Sequence, residues 1–381
     1  MDLEFSEEQE LLRTTVRRVC ETHSPLGAVR MMERDERGYL APLWQVLAEV
    51  GLLGLRVPSA YGGVELGLLE AVVSYEELGR ALAPSPHFES AILAAGLLAG
   101  AGTEAQRQAW LPRIADGSAI IVPAWQERDV SANIAALTMR ARQESDGIFL
   151  SGNKVLVPFA NTAQRLLVLA SHPTIPDRHI AALVDPAAAG ALLHKQANHA
   201  DATVFAVLFD AVRVSVDDCL GWDDGIDAVW ERMFLEGQIA LAAQAIGGAE
   251  RMLQMTTEYA KVRTQFGRPI GGFQAIAHYL ADRATEIEGA KVLVYQAAWA
   301  ADTGLPCERL ALMARLKACA TFRRMTAVGT QIHGGIGFTS EADLQLYFRR
   351  AKQQQLMYGD SAWLETRIAN CIFNGDLPSV D

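Results

Sequence analysis

The chain has 381 residues, half of them hydrophobic and 21% charged, with a formal net charge of -11 and a pI near 5.3. That length exceeds what one small core organises, so two or three domains are expected. The acidic balance gives no electrostatic basis for wrapping nucleic acid and no basic amphipathic face for a membrane surface.

The first third reads as helix. Its acidic N-terminus, Met-Asp-Leu-Glu-Phe-Ser-Glu-Glu, lacks the cationic and apolar regions of a targeting peptide. Ser6 stands before Glu7, Glu8 and Gln9 as an N-cap, and Leu11, Leu12, Val16 and Val19 follow at helical spacing. Pro42 and Trp44 open a second helix running to Gly51, and Val57 to Gly63 is a turn-rich loop. A helix from Leu69 to Leu82 is stopped by Ala83-Pro-Ser-Pro86. Ala91 to Ala99 is apolar but too short to span a bilayer. Thr103-Glu-Ala-Gln is a further cap, leading to Trp110.

The texture changes near Ala119. Short segments rich in branched residues run over 148–150, 152–157, 165–170, 179–184 and 204–214, separated by Gly, Asn, Asp and Pro. Such spacing predicts a small antiparallel sandwich or barrel, with turns at Asp146-Gly147 and Gly152-Asn153. From Gly225 the helical period returns, over Asp227 to Arg263, Phe273 to Thr303 and Glu308 to His333, with a last segment beginning near Glu341. Four long helices with short links predict a bundle. The expected organisation is therefore α+β and multidomain: helical over 1–118, β over 119–224 and a four-helix bundle over 225–381. The five cysteines are odd in number and form no Cys-x-x-Cys, which points to reduced thiols in a cytoplasmic protein.

Two motifs carry the functional reading. Arg263-Thr-Gln-Phe-Gly-Arg-Pro-Ile-Gly-Gly-Phe-Gln274 supplies a cation, an aromatic and an amide at spacing suited to a diphosphate and a purine. Gln331-Ile-His-Gly-Gly-Ile-Gly337 supplies a turn that lets backbone approach a ligand. Together they resemble the flavin-adenine-dinucleotide grip of the acyl-CoA dehydrogenase family. Leu53 to Gly63, Tyr75 to Arg80, Gly102 to Pro112, Gly152 to Lys154 and Asp210 to Gly221 resemble further blocks of that family, in its order.

The resemblance implies FAD as cofactor, shared between paired subunits. It assigns Arg263 to a phosphate, with Gln265, Phe266 and Gln274 beside it. It brings Gln331, Gly334 and Gly335 to the diphosphate-adenosine part. His333 is expected to be packed or to position backbone, since no acid orients it as a base. The isoalloxazine end departs from the family: Ala124 to Ser131 matches its Thr-Glu-Pro loop poorly, and Val155-Leu-Val-Pro158 replaces its Trp-Ile-Thr.

The base departs too. Abstraction of a weakly acidic α-proton needs a carboxylate facing the flavin and donors on the thioester carbonyl. The flanking sequence puts Tyr358, Gly359 and Asp360 at the family's Glu-Gly-Thr. Relatives with the base on the first bundle helix would carry it at Gly237, where Glu236 is the neighbour, about 100° around the helix. Glu236 and Asp360 are the candidate bases. Glu236 is otherwise read as an ordinary helical glutamate, either solvated or paired with an arginine, and Asp360 as an N-cap for the following helix.

The expected activity is FAD-dependent α,β-dehydrogenation of an acyl-CoA thioester, with electrons passing to an electron-transfer flavoprotein, in a homo- or hetero-tetramer. The alternative is a non-catalytic partner subunit, as in heteromeric relatives acting on steroid side chains, lending its C-terminal FAD-binding half to the other chain. A third reading keeps the flavin and changes the substrate to a nitroalkane or another small non-thioester. No metal, nucleic acid or membrane partner is expected.

Overall fold

The computed structural model describes residues 5–128, 132–145 and 147–373. In chain order come α1 (Glu7–His23), α2 (Leu26–Met32), α3 (Ala41–Glu49), α4 (Leu68–Arg80), a buried π-helical stretch Phe88–Ala94, α5 (Ala95–Ala101) and α6 (Glu104–Ala115). Eight strands follow: β1 (Ile121–Ala124), β2 (Arg140–Glu144), β3 (Gly147–Pro158), β4 (Arg165–Ser171), β5 (His179–Val184), β6 (Ala191–Lys195), β7 (Val204–Val214) and β8 (Cys219–Leu220). Then come α7 (Asp227–Val262), a two-stranded ribbon of β9 (Thr264–Gln265) and β10 (Arg268–Pro269), α8 (Gln274–Asp302), α9 (Glu308–His333), α10 (Leu344–Leu356) and α11 (Ser361–Phe373). Among the described residues no helix is long and apolar enough to cross a membrane.

The capping signals act as the sequence indicates. Ser6 and Thr103 each close a full capping box, with Gln9 and Gln106 reaching back to the cap. The start of α4 has no such side chain of its own. Its Leu68 and Leu69 amides donate instead to the carboxylate of Asp302, at 2.7 and 2.9 Å, which satisfies two orphan donors and places an anion at the positive end of the helix.

The chain forms two compact units. One comprises residues 31–66 and 84–237 and holds the sheet. Its strand order is β6-β7-β3-β2-β4-β5-β8, with β1 also paired to β4. Most pairs are antiparallel, but β1 and β2 meet β4 in parallel. Strand β5 is buried at every residue and β4 at its five central ones, as expected of strands covered on both faces. Gly152-Asn153 is not a turn. Both residues pair with β7 inside β3, and Gly152 (φ 146°) sits at a register shift between Leu150 and Gly152. The extra residue lies on β7, where Asp210 and Ala211 (φ 49°) face Ser151 alone, and Gly152 takes its own special backbone beside that bulge. The Asp146-Gly147 turn involves Asp146, which lies outside the described residues.

The other unit comprises residues 1–30, 67–83 and 238–381. Two motifs far apart in sequence interlock at its centre. A Cβ on Gly247 would lie 1.8 Å from the Glu76 carbonyl oxygen, and one on Gly79 would lie 2.0 Å from that of Gln244. Glycine therefore lets α4 and α7 meet backbone to backbone. The segment expected near Glu341 is two helices, α10 and α11. It breaks where Tyr358 (φ 60°) and Gly359 (φ 98°) both turn left-handed.

Beside the α4–α7 crossing lies a buried charge cluster. Glu76 is 2% exposed; its Oε2 accepts from Arg13 at 3.4 Å, and its Oε1 has no hydrogen-bond partner. Lys291 bonds Glu250 at 2.7 Å within the same cluster. Burial drives the Glu76 carboxyl up to about 7, with Lys291 opposing the rise and Glu250 adding to it. The native carboxyl therefore holds its proton to higher pH than the unfolded one, and stability from this group is lost as pH rises from about 4.5 to about 7. We expect Glu76→Gln to flatten that decline and to gain on the parent by on the order of 3 kcal/mol between pH 5 and pH 8. Urea denaturation midpoints across that range measure it; parallel pH profiles would refute it.

Candidate functional site

The exposed end of the bundle is built from the last turns of α7 and α9 and the first of α8. Tyr259 and His333 stack with ring centroids 4.1 Å apart, which brings the ends of α7 and α9 together. His333 is packed, as expected. It contacts the Gly329 carbonyl at 2.8 Å through Nδ1, and burial holds its pKa below the ordinary value.

From Arg263 the chain turns back on itself. Gln265 pairs with Arg268, and Phe266 (φ 52°) and Gly267 (φ 77°) form a left-handed two-residue turn between β9 and β10. The tip holds the Phe266 ring 92% exposed, edge-on to Phe273, over whose face Arg268 lies at 4.1 Å. Arg263 and Gln265 are exposed on the same excursion, and Gln274 is exposed as the first residue of α8. Gln331 is exposed on the last turn of α9. Gly334 has φ 63° and ψ −139°, a conformation that needs glycine, and a Cβ on Gly334 or Gly335 would meet nothing within 4 Å. The seven residues assigned to the nucleotide thus belong to one unit. They present a cation, an aromatic face, amides and open backbone, a donor set that fits a dinucleotide tail.

The β domain offers less to a flavin ring. The bulge between Lys154 and Val157 sets Leu156 at φ 53°. Its amide donates to Gln196 at 2.8 Å, that of Val155 to the Gln126 carbonyl at 2.9 Å and that of Phe159 to the Thr203 carbonyl at 3.0 Å. Pro158 has no N–H. These backbone donors are spent inside the protein.

Sequence reasoning missed an ion pair in the same region. Lys154, fully buried in β3, bonds Glu127 at 2.7 Å. Glu127 also accepts from the amide and hydroxyl of Thr138 at 2.7 and 2.6 Å and from the Met139 amide at 3.1 Å. Burial pulls the Lys154 ammonium down to about 8, against Glu127, which supports its charge. Burial opposes the Glu127 anion too, but Lys154 and Thr138 outweigh it and lower its pKa. The pair anchors the segment after β1, whose later residues Asp129, Val130 and Ser131 lie outside the described residues. The available signal was a lysine within a strand otherwise rich in apolar residues.

Three consecutive residues of α7 meet different partners. Glu236 pairs with Arg56 at 2.6 Å and is largely shielded from solvent. A Cβ on Gly237 would lie 3.1 Å from the Phe88 ring, so a carboxylate there needs Phe88 to yield. Gln238 donates to the Tyr358 carbonyl at 2.8 Å, leaving its buried Oε1 without a partner. Arg315, 1% exposed, donates to the carbonyls of Leu241, Gln354 and Met357. Gln238 and Arg315 thereby hold the left-handed turn at Tyr358, and neither was singled out from sequence. Asp360 accepts from the Trp363 amide at 2.9 Å and caps α11.

The family descriptions "Acyl-CoA dehydrogenase, N-terminal domain" and "Acyl-CoA dehydrogenase, C-terminal domain" match residues 6–118 and 223–373. Over 347 residues the chain is 33% identical to acyl-CoA dehydrogenase IpdE2 of Mycobacterium tuberculosis, covering 91% of each. Among solved structures it is similar to a variant of the Tcur3481–Tcur3483 steroid ACAD, with a TM-score of 0.87 and 34% identity over 97% of this chain and 99% of that one. It is similar also to the ChsE4–ChsE5 complex of Mycobacterium tuberculosis, with a TM-score of 0.90 and 27% identity over the whole of both chains.

The buried pair in the β domain makes a thermodynamic prediction. Lys154→Met strands the Glu127 carboxylate and should cost about 3–5 kcal/mol, whereas the double variant Lys154→Met with Glu127→Gln should recover most of the loss. Urea denaturation of the three proteins measures the coupling; additive losses would contradict it.

Proposed function

This chain belongs to the acyl-CoA dehydrogenase family, and we propose that it works in the FAD-dependent α,β-dehydrogenation of an acyl-CoA thioester. The observation that carries this reading is the exposed bundle end, where Arg263, Gln265, Phe266, Gln274, Gln331, Gly334 and Gly335 would hold the diphosphate and adenosine of FAD in a neighbouring subunit. FAD, when bound, supplies the hydride acceptor, and an electron-transfer flavoprotein would reoxidise it. Glu236 is the proposed base. Arg56 engages its Oε2, so the α-proton would pass to Oε1. Asp360 is the second candidate, and its use would cost α11 its cap. The backbone amide beside Tyr358 would donate to the thioester carbonyl, a role that survives the loss of a glutamate side chain.

A second reading has its own support. The donors expected at the flavin ring are used internally, and both candidate bases have structural partners. Two of the similar structures are named for pairs of chains. In this reading the chain is the partner subunit of a heteromeric dehydrogenase, lending its nucleotide grip to a chain that carries the base. The tetramer is then mixed rather than uniform.

Two measurements separate the readings. Anaerobic mixing with acyl-CoAs should bleach the flavin band of the parent, and Glu236→Gln should slow that step by about 10²–10⁴-fold while FAD stays bound; an unchanged rate would remove Glu236 as base. Expressed alone, the chain should purify yellow if it completes its own site. A colourless product that retains FAD only when co-produced with a second family member, and loses it again on Arg263→Met, would assign it the partner role.

A further inference from the structure

A second cavity lies within the bundle unit, away from the nucleotide end. It encloses about 220 Å³ between the C-terminal ends of α1 and α4, the middle of α7 and the first turns of α10. Its α7 residue, Arg251, stands twelve positions before Arg263, about 18 Å along the helix.

The charges in this cavity are unbalanced. Arg17 and Glu77 form a bidentate pair at 2.7 and 2.9 Å and neutralise each other. Arg80 bonds the neutral side chain of Gln254, and Arg251 bonds the Tyr347 hydroxyl, which itself donates to the Arg80 carbonyl at 2.7 Å. Neither Arg80 nor Arg251 has a carboxylate ion-pair partner among the described residues. Ser24, 3% exposed, lines the same space, and its buried hydroxyl has no hydrogen-bond partner. A buried hydroxyl left in this state costs free energy that a ligand oxygen would recover. Glu21 stands exposed at the rim, which leaves three arginines against two glutamates, and the rest of the wall, including Leu26 and Ala81, is apolar. The Cys20 thiol on this wall is pushed by burial to about 12, so it is no nucleophile there.

We propose that this cavity is a binding site for a small oxyanion, a carboxylate or phosphoryl group on a body of a few heavy atoms, held by Arg80 and Arg251 with a hydrogen bond from Ser24. Two guanidinium forks match either head group. The volume equals about seven waters of liquid, which is more than a bare anion needs and suits a short apolar tail against Leu26. An occupant would tie together α1, α4, α7 and α10, so binding should appear as stabilisation of the whole chain.

The test is titration of the full chain, with its partner subunit where one co-purifies, by thermal melting and calorimetry. The probes are inorganic phosphate and butyrate, with sodium chloride at matched ionic strength as control. A saturable rise in melting temperature is expected with one probe or both, and the better one identifies the head group. Arg251→Met should weaken binding by about tenfold or more, while Arg251→Lys keeps charge but loses the fork and should fall between. Ser24→Ala guards against a folding artefact. It removes an unsatisfied hydroxyl, so the unliganded protein should melt no lower, yet the probe-induced rise should shrink. No effect beyond that of sodium chloride, or an equal rise in all variants, would overturn the proposal.

Discussion

The close passage of α4 over α7 governs much of this molecule. Gly79 and Gly247 remove the side chains that would separate the two helices, and the carbonyls of Gln244 and Glu76 fill the space. A helix held this closely has little freedom to rotate or slide. Within this unit helix α7 carries Gln238, Arg251 and Tyr259 and leads into Arg263, so fixing its register orients residues at the Tyr358 turn, in the cavity and at the nucleotide end. The crossing also sets the electrostatics. Glu76 and Glu77, next to the contact, are carried into the interior and must find Arg13, Lys291 and Arg17 there.

The turn at Tyr358 shows how such a frame supports local strain. A tyrosine in the left-handed region costs roughly 1–3 kcal/mol, and it persists because its surroundings hold it. Gln238 takes the Tyr358 carbonyl, Arg315 takes those of Gln354 and Met357, and Asp360 starts the next helix three residues before Trp363. At this turn the chain has invested in backbone geometry. That fits either functional reading: a donor amide kept in place, or a loop kept in shape for another subunit's chemistry.

The sequence was informative where one local rule decides the outcome. Ser6 and Thr103 capped their helices because a cap depends on four residues in a row. The Gln265-Phe266-Gly267-Arg268 turn and the Gly334-Gly335 pair could be singled out because glycine marks special backbone. It was uninformative where distance in sequence hides contact. Lys154 and Glu127 stand 27 positions apart, and nothing local says that one buries against the other. Gly152 announced unusual backbone, but a strand residue opposite a bulge in its neighbour can take that conformation as well as a turn residue can. The break at Tyr358 could not be foreseen from tyrosine, which ordinarily avoids that conformation. Glu236 was left between two descriptions; its contact with Arg56 gives it a partner without deciding its chemistry.

The Phe266 tip has a consequence for the chain's life in a cell. A phenyl ring held out on a tight turn, with Val262, Ile336 and Phe338 also exposed on that end of the unit, is apolar area that water tolerates poorly. Copies made in excess of whatever covers that surface keep it bare, and bare surface of this kind invites chaperones, proteases and self-association. If the subunit and cofactor proposed above cover that surface, synthesis of this protein would have to be matched to their supply.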